Sequence, residues 1–164
     1  MNIQKLSKGF TIIEVVLVLA IGGLIFLMVF VALPALQAGQ RDSARKNDVS
    51  IVSTAVTNFI SNNRGNFPSV TQLKAYVQGL SADSDISLMT VSTTADTTAT
   101  GVSLKEGQIS VYKAAICDAQ QPTATDASGN KVARYSLRKG ANRQFAILTY
   151  MEGGGGVGYC LQGN

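Results

Sequence analysis

Lys8-Gly9-Phe10-Thr11-Ile12-Ile13-Glu14-Val15-Val16-Leu17-Val18-Leu19-Ala20-Ile21 is the stretch on which the reading of this chain turns. Glu14 stands four residues after Phe10, and from Val15 to Gln40 no charged residue follows. At about 1.5 Å per helical residue, the apolar part from Val15 to Leu36 is long enough to cross a hydrocarbon core of about 30 Å. A bare carboxylate at the centre of a bilayer costs roughly 2.5–3.5 kcal/mol on insertion scales. A chain that keeps one beside such a segment is expected to use it, and its natural counterpart is a partner's positive charge.

A secretory signal would pair an apolar core of about 7–15 residues with a small-residue cleavage site after it. Here the run is longer, and Ala35-Leu36-Gln37-Ala38-Gly39 is a poor imitation of such a site. Cleavage before the run would instead leave the helix on the mature protein. The choice decides function: a removed signal yields a secreted globule, a retained helix a membrane-held subunit.

The combination of a short basic leader with Lys5 and Lys8, a Gly9-Phe10 junction, Thr11, Glu14 and a long apolar helix closely resembles the N-terminus of type IV prepilins. The resemblance is strong over residues 5–40 and architectural beyond them. It implies cleavage between Gly9 and Phe10 by a membrane aspartyl prepilin peptidase, N-methylation of Phe10, and use of Glu14 to set register as copies of the chain assemble into a helical filament. It further implies a leader at 1–9, a transmembrane and assembly helix at 10–40, and a globular head at 41–164 that includes the amphipathic half of the helix. Partners would be copies of the chain, the peptidase/methyltransferase, the assembly platform and motor proteins, and the membrane before assembly. The location would be the cytoplasmic membrane first and the cell surface afterwards.

The fold expected is α+β: one long helix over 10–63 packed on an antiparallel sheet. Gly22, Gly23 and Pro34 interrupt the apolar half; glycine costs about 1 kcal/mol in a helix interior and proline about 3. They mark a segment able to kink or to melt, and the residues leave both outcomes open. After Gln40 the pattern becomes amphipathic, with Val49, Val52, Val56 and Phe59 at three-four spacing and Ala55 and Ile60 widening the stripe. Arg41, Asp42, Arg45 and Asp48 have spacings suited to local pairs worth only tenths of a kcal/mol, the reading preferred here over contacts with neighbouring subunits. Gly65 and Pro68 stop the helix, and Ser69-Val70-Thr71-Gln72 reads as a capping box opening a short helix over 70–78. Ile86, Leu88 and Val91 suit a short edge strand, and the Ser/Thr-rich run 92–100 a surface loop. From Gln108 onward, strands at 108–117, 132–138, 144–150 and 159–161 alternate with turns at 126–130 and 139–142. One sheet with one polar face and one face on the helix is the expectation.

The chain has 164 residues and a net charge of +4, to which Lys5 and Lys8 contribute two charges, so the balance after the leader does not mark a nucleic-acid binder. Histidine is absent, which excludes histidine-based catalysis and histidine metal ligation. No nucleophile elbow, phosphate loop or CxxC occurs, and Asp83, Asp85 and Asp96 are too loosely spaced for an EF-hand. No catalytic residue, cofactor or metal site is expected, and an enzyme is the least favoured class. Cys117 and Cys160, in an exported body, read as one disulfide. Arg134, Arg138, Lys139 and Arg143 form one basic cluster around a hairpin. Such clusters are usually a solvated face; repeated along a filament, this one would attract DNA or an acidic host surface.

The leading expectation is therefore a structural subunit of a type IV pilus, serving adhesion, twitching motility or DNA uptake. A type II secretion pseudopilin or a minor pilin shares the architecture. A single-pass membrane-anchored binding module that never polymerises is the alternative from another class.

Overall fold

A computed structural model describes residues 9–79, 90–92 and 101–164, with only the backbone described at 90–92. Residues 1–8 of the expected leader, Ile86 and Leu88 of the expected edge strand, and residues 93–100 of the expected loop lie outside the described residues. The chain divides into two compact units, one ending at Gln37 and the other running from Ala38 to Asn164.

Helix α1 runs Ile12–Asn62 and is continuous through Gly22, Gly23 and Pro34. It starts at Thr11, whose carbonyl accepts the N–H groups of Glu14 (3.1 Å) and Val15 (3.3 Å). It stops where Arg64 and Gly65 take left-handed φ angles of 56° and 83°. There the Gly65 N–H reaches back to the Ile60 carbonyl at 2.9 Å, and the Asn63 side chain donates to the Phe59 carbonyl at 2.8 Å. The terminal carbonyls that a helix would leave open are thus closed by the chain's own turn. Helix α2, Val70–Tyr76, carries the capping box foreseen: Ser69 Oγ accepts from Gln72 N, and Gln72 Oε1 accepts from Ser69 N.

Among the described residues seven strands follow: β1 (Thr90–Ser92), β2 (Val102–Leu104), β3 (Ile109–Lys113), β4 (Ala115–Thr125), β5 (Lys131–Lys139), β6 (Phe145–Met151) and β7 (Val157–Gly163). They form two sheets, with strand orders β1-β3-β6-β7 and β2-β5-β4. This corrects the single sheet expected. Within the C-terminal unit, the side of the first sheet bearing Ile109, Val111, Phe145 and Ile147 packs on Val49, Val52, Ala55 and Val56 of α1, with Leu73 and Val77 closing the edge. Its other side is not polar. Ala146 and Leu148 lie in a second apolar cluster with Leu104, Ala115, Ala133 and Leu137 of the second sheet. Helix, sheet and sheet make three layers, and β6 is covered on both faces, which is why Phe145-Ala146-Ile147-Leu148 is apolar without interruption.

The expected strand 108–117 divides at Ala114, which adopts a φ of 52°. Its N–H donates to the Gln144 carbonyl (2.7 Å) and its own carbonyl accepts from Gly140 (2.8 Å). The chain leaves the first sheet at Lys113, opposite Phe145, and enters the second at Ala115, opposite Lys139. A left-handed residue with a Cβ costs conformational energy, and these two bonds hold it in place. The β4–β5 pairing slips between Cys117 and Gln120 and again between Gln121 and Ala124. The second slip brackets Pro122, which cannot donate to a ladder. Strand β1 is an edge, as foreseen for Val91, yet it pairs with β3 in parallel.

Candidate functional site

Two regions carry chemistry-bearing side chains: the start of α1, and the charged residues where its packed half begins. At the first, Gly9 and Phe10 are exposed, Phe10 to 83%. Phe10 and Glu14 share one groove with Val15, Val18 and Leu19, because residues one helical turn apart fall on the same face. Glu14 lies in the first turn, where a carboxylate is favoured by the helix dipole. Beyond it, large apolar side chains stand exposed on every side through Leu36. Among the described residues, α1 is the one helix long and apolar enough to cross a membrane.

The second region is a network of charged residues. Asp42 faces away from solvent and accepts the backbone N–H groups of Glu152 (2.8 Å) and Gly153 (2.7 Å). Arg45, 1% exposed, places Nη2 at 2.7 Å from Glu152 Oε1 and 3.0 Å from Glu106 Oε1. Arg41 closes on Glu152 with Nη2 at 2.6 Å and Nε at 2.9 Å. The Arg45 guanidinium lies 5.9 Å from the centre of the Tyr150 ring. The hydrogen bonds from Arg41, with those from Arg45, hold the Glu152 carboxyl down to about 2 despite its partial burial. A buried guanidinium is costly unless paired, and Glu152, Glu106 and Asp42 pair it here. The local pair expected is present between Asp42 and Arg45, Oδ1 to Nη1 at 3.5 Å, and beyond it Arg41, Asp42 and Arg45 tie α1 to the end of β6 and to the glycine turn after it.

The glycine turn itself, Gly153–Gly155, links β6 to β7, with Gly154 in the left-handed region at a φ of 70°. Gly156 takes a φ of 91° against the Tyr150 hydroxyl, a close approach that leaves no room for a Cβ. Beside it, Cys160 on β7 is bonded to Cys117 on β4, with Cα atoms 6.0 Å apart. The disulfide therefore joins the two sheets.

The four residues of the expected basic cluster are placed differently from one another. Arg138 Nε meets Asp118 Oδ1 at 2.7 Å across β4 and β5, Lys139 is exposed at the end of β5, and Arg134 is half-buried. Arg143 turns toward the end of α1, where it lines a cleft with Arg64. The signal that could have revealed the network was available in the sequence. Asp42 and Arg45 continue the spacing of Val49, Val52, Val56 and Phe59, so they share the buried face rather than the solvated one.

Residues 4–30 match the model of the prokaryotic N-terminal methylation motif. The match takes in Lys5, Lys8, the Gly9-Phe10 junction, Glu14 and the greater part of the apolar run, and it supports a type IV pilin-like prepilin. No curated protein and no solved structure matches the chain.

Proposed function

We propose that the chain is a structural filament subunit of the type IV pilin kind. In this reading it is cut between Gly9 and Phe10, methylated on the new amine of Phe10, held in the cytoplasmic membrane, and polymerised through the first half of α1. The leader, assembly helix and head keep the limits 1–9, 10–40 and 41–164. Prepilin peptidase, assembly platform and motor proteins are the partners, and the finished fibre at the cell surface serves adhesion, motility or DNA uptake. The chain performs no catalysis of its own.

The observation that carries the proposal is the pairing of the methylation motif with an apolar half-helix exposed on all sides. Lipid satisfies that surface before assembly, and other copies satisfy it afterwards. Once the leader is gone, the Phe10 amine is mostly protonated at neutral pH. Glu14, one turn away, balances it either within the chain or across to a neighbour. Away from water a misplaced carboxylate is penalised by several kcal/mol, so the charge pair acts as a register mark.

N-terminal mass spectrometry on sheared surface fibres tests the processing: methylated Phe10 is expected, and an intact leader or a cut near Ala38 rejects it. Glu14→Ala tests assembly. The variant is expected to insert in the membrane at normal levels and to give few or no filaments; unchanged filaments remove the register role. Electron microscopy of the surface fraction separates a surface pilus from a fibre that stays in the periplasm.

A further inference from the structure

We infer that the free edge of β7 is an interaction surface for a second copy of this chain, joined strand to strand in an antiparallel pair. Among the described residues four strands end the two sheets: β1 and β7 in the first, β2 and β4 in the second. An unpaired edge presents a row of N–H and C=O groups to any strand that comes near, and proteins ordinarily blunt it with shortness, charge, proline or a bulge. Strands β1 and β2 have three residues each. Strand β4 is long, but its pairing slips twice and it contains Pro122 and the charged Asp118. Strand β7 has none of these devices. It is seven residues long, Val157-Gly158-Tyr159-Cys160-Leu161-Gln162-Gly163, without charge or proline, and it pairs with β6 at every position without a slip.

The edge is open. Beyond the ladder to β6, no backbone group of Val157–Gly163 has a hydrogen-bond partner among the described residues. The central strand β6 is buried at six of its seven positions, whereas β7 is buried at Gly158 alone. The larger side chains of β7 are already placed: Tyr159 and Leu161 lean on the helix core, and Cys160 is held by Cys117. A joining strand therefore meets backbone, and main-chain hydrogen bonds make the joint.

A second copy brings one edge of the same kind, its own β7. Neither strand then carries a charge to be desolvated, and no like charges stand opposite each other across the joint. Two identical edges joined about a two-fold axis close on themselves, so the pair stops at two. Charge also sets the direction. Lys113 and Gly163 both stand beside Phe145, and Arg64 and Arg143 line the cleft next to Asn164. With the main-chain carboxylate of Asn164 counted, three cations leave that end of β7 positive. A parallel joint would set two such ends side by side, whereas the antiparallel one sets each against the Val157 end of the other copy. The joint makes no use of the apolar half of α1, so its failure would leave the filament reading standing.

The test follows the full chain by sedimentation in an excess of uncharged detergent, at protein concentrations up to about 200 µM. A monomer–dimer equilibrium with a Kd of about 10–100 µM is expected, because seven residues a side make a small interface. Raising the detergent at fixed protein should leave it unchanged; dissociation by detergent would assign the contact to the apolar half of α1 and overturn the proposal. Gln162→Lys puts a charge at the exposed position of the edge and should weaken the dimer by about tenfold or more, since each joint then buries two of them. Ser103→Lys, on the edge formed by β2, should leave it unchanged. Hydrogen exchange of the parent dimer against the monomer should show added protection at amides within 157–163, and protection only elsewhere would sink the idea. A chain that stays monomeric throughout, oligomers that grow past two, equal losses in both variants, or no loss in Gln162→Lys would do the same. So would two covalently joined chains on a non-reducing gel, since the contact would then be an exchanged disulfide. Melting curves of both variants, expected to overlay the parent's, separate a lost joint from lost folding.

Discussion

From Val15 to Leu36, α1 carries apolar side chains on every side, and Leu24, Leu27 and Phe30 remain 70, 68 and 66% exposed. From Asp42 to Phe59 the same helix carries them on one side, and Val49, Val52 and Val56 are wholly buried. Residue type alone does not separate the two halves, because valine and isoleucine occur in both. Phase does. A one-sided stripe can be covered by a single layer of sheet from the same chain, whereas an all-round surface needs a surrounding medium or several neighbours. In the proposed function the first half is finished by lipid or by other copies, and the second is finished by its own fold.

The sharpest way to break that contrast is to place one aspartate in each half. Val52→Asp buries a carboxylate among Ile109, Val111 and Ile147 with no partner, and should cost at least about 4 kcal/mol, enough to unfold the head. Leu24→Asp lies on the exposed apolar half and should leave the melting of the head unchanged, while lowering membrane retention by the roughly 2.5–3.5 kcal/mol of an intramembrane charge. Circular dichroism of the head and alkaline extraction of membranes read the two effects separately. If Leu24→Asp also unfolds the head, the division of labour within α1 is wrong.

Next in size is the disulfide. Cys117 and Cys160 are 43 residues apart and join the two sheets, so Cys117→Ser should cost about 2–5 kcal/mol. The loss should appear in head stability and leave membrane retention alone. Because Cys160 would then be free, the double variant Cys117→Ser/Cys160→Ser should match the single one; a worse single variant would point to mispairing rather than to the missing link.

Smaller still is the charged network at the start of the packed half. Glu152→Gln keeps the shape and removes the charge that Arg41 and Arg45 share, at an expected cost of about 1–3 kcal/mol near neutral pH. The sign of the pH dependence is set by the carboxyl being lowered from 4.5 to about 2 in the folded chain. Its contribution is present above the unfolded value of 4.5 and is lost as pH falls toward about 2. The stability gap between parent and Glu152→Gln should therefore shrink across that window in urea titrations. A gap that stays constant down to pH 2 would mean that the ion pairs do not report folding.

Much of this was legible in the sequence because it is local. The capping box at Ser69 and Gln72, the turn at Asp126, the amphipathic stripe and the prepilin-like junction are each written within a few residues. The Asp126 turn shows why: its carboxylate accepts the N–H groups of Ser128 and Asn130, both at 2.9 Å, so the signal and its cause sit together. What was missed is non-local. Ala114 looks like any strand alanine, and only the Gln144 and Gly140 backbones show why the chain changes sheets there. Strand β2 is three residues long and is a strand because β5 lies beside it. At the candidate sites, Gly9, Phe10 and Glu14 were readable from the motif, whereas Arg64 joins Arg143 only through the folding of a turn onto a helix end. The local pair of Asp42 with Arg45 was readable, and the long-range contacts of Arg41, Asp42 and Arg45 were missed by weighing charge above phase.

The smallest expected effect tests how far the packed half of α1 depends on its neighbours. Helix α2 has seven residues, too few to be stable alone, so it exists because Leu73 and Val77 join the core beside Val52 and Val56. The Ser69 hydroxyl then only satisfies the Gln72 N–H at an exposed helix start. Ser69→Ala should cost about 1 kcal/mol, a shift of roughly 4 °C in the head's melting temperature. Ser69→Asp should recover most of it, since aspartate caps as well as serine and adds a favourable charge at the helix start. A loss for Ser69→Ala as large as that of the disulfide variant would mean that losing the cap releases Leu73 and Val77 together. In that case α1's buried stripe would depend on α2 as much as on the sheet.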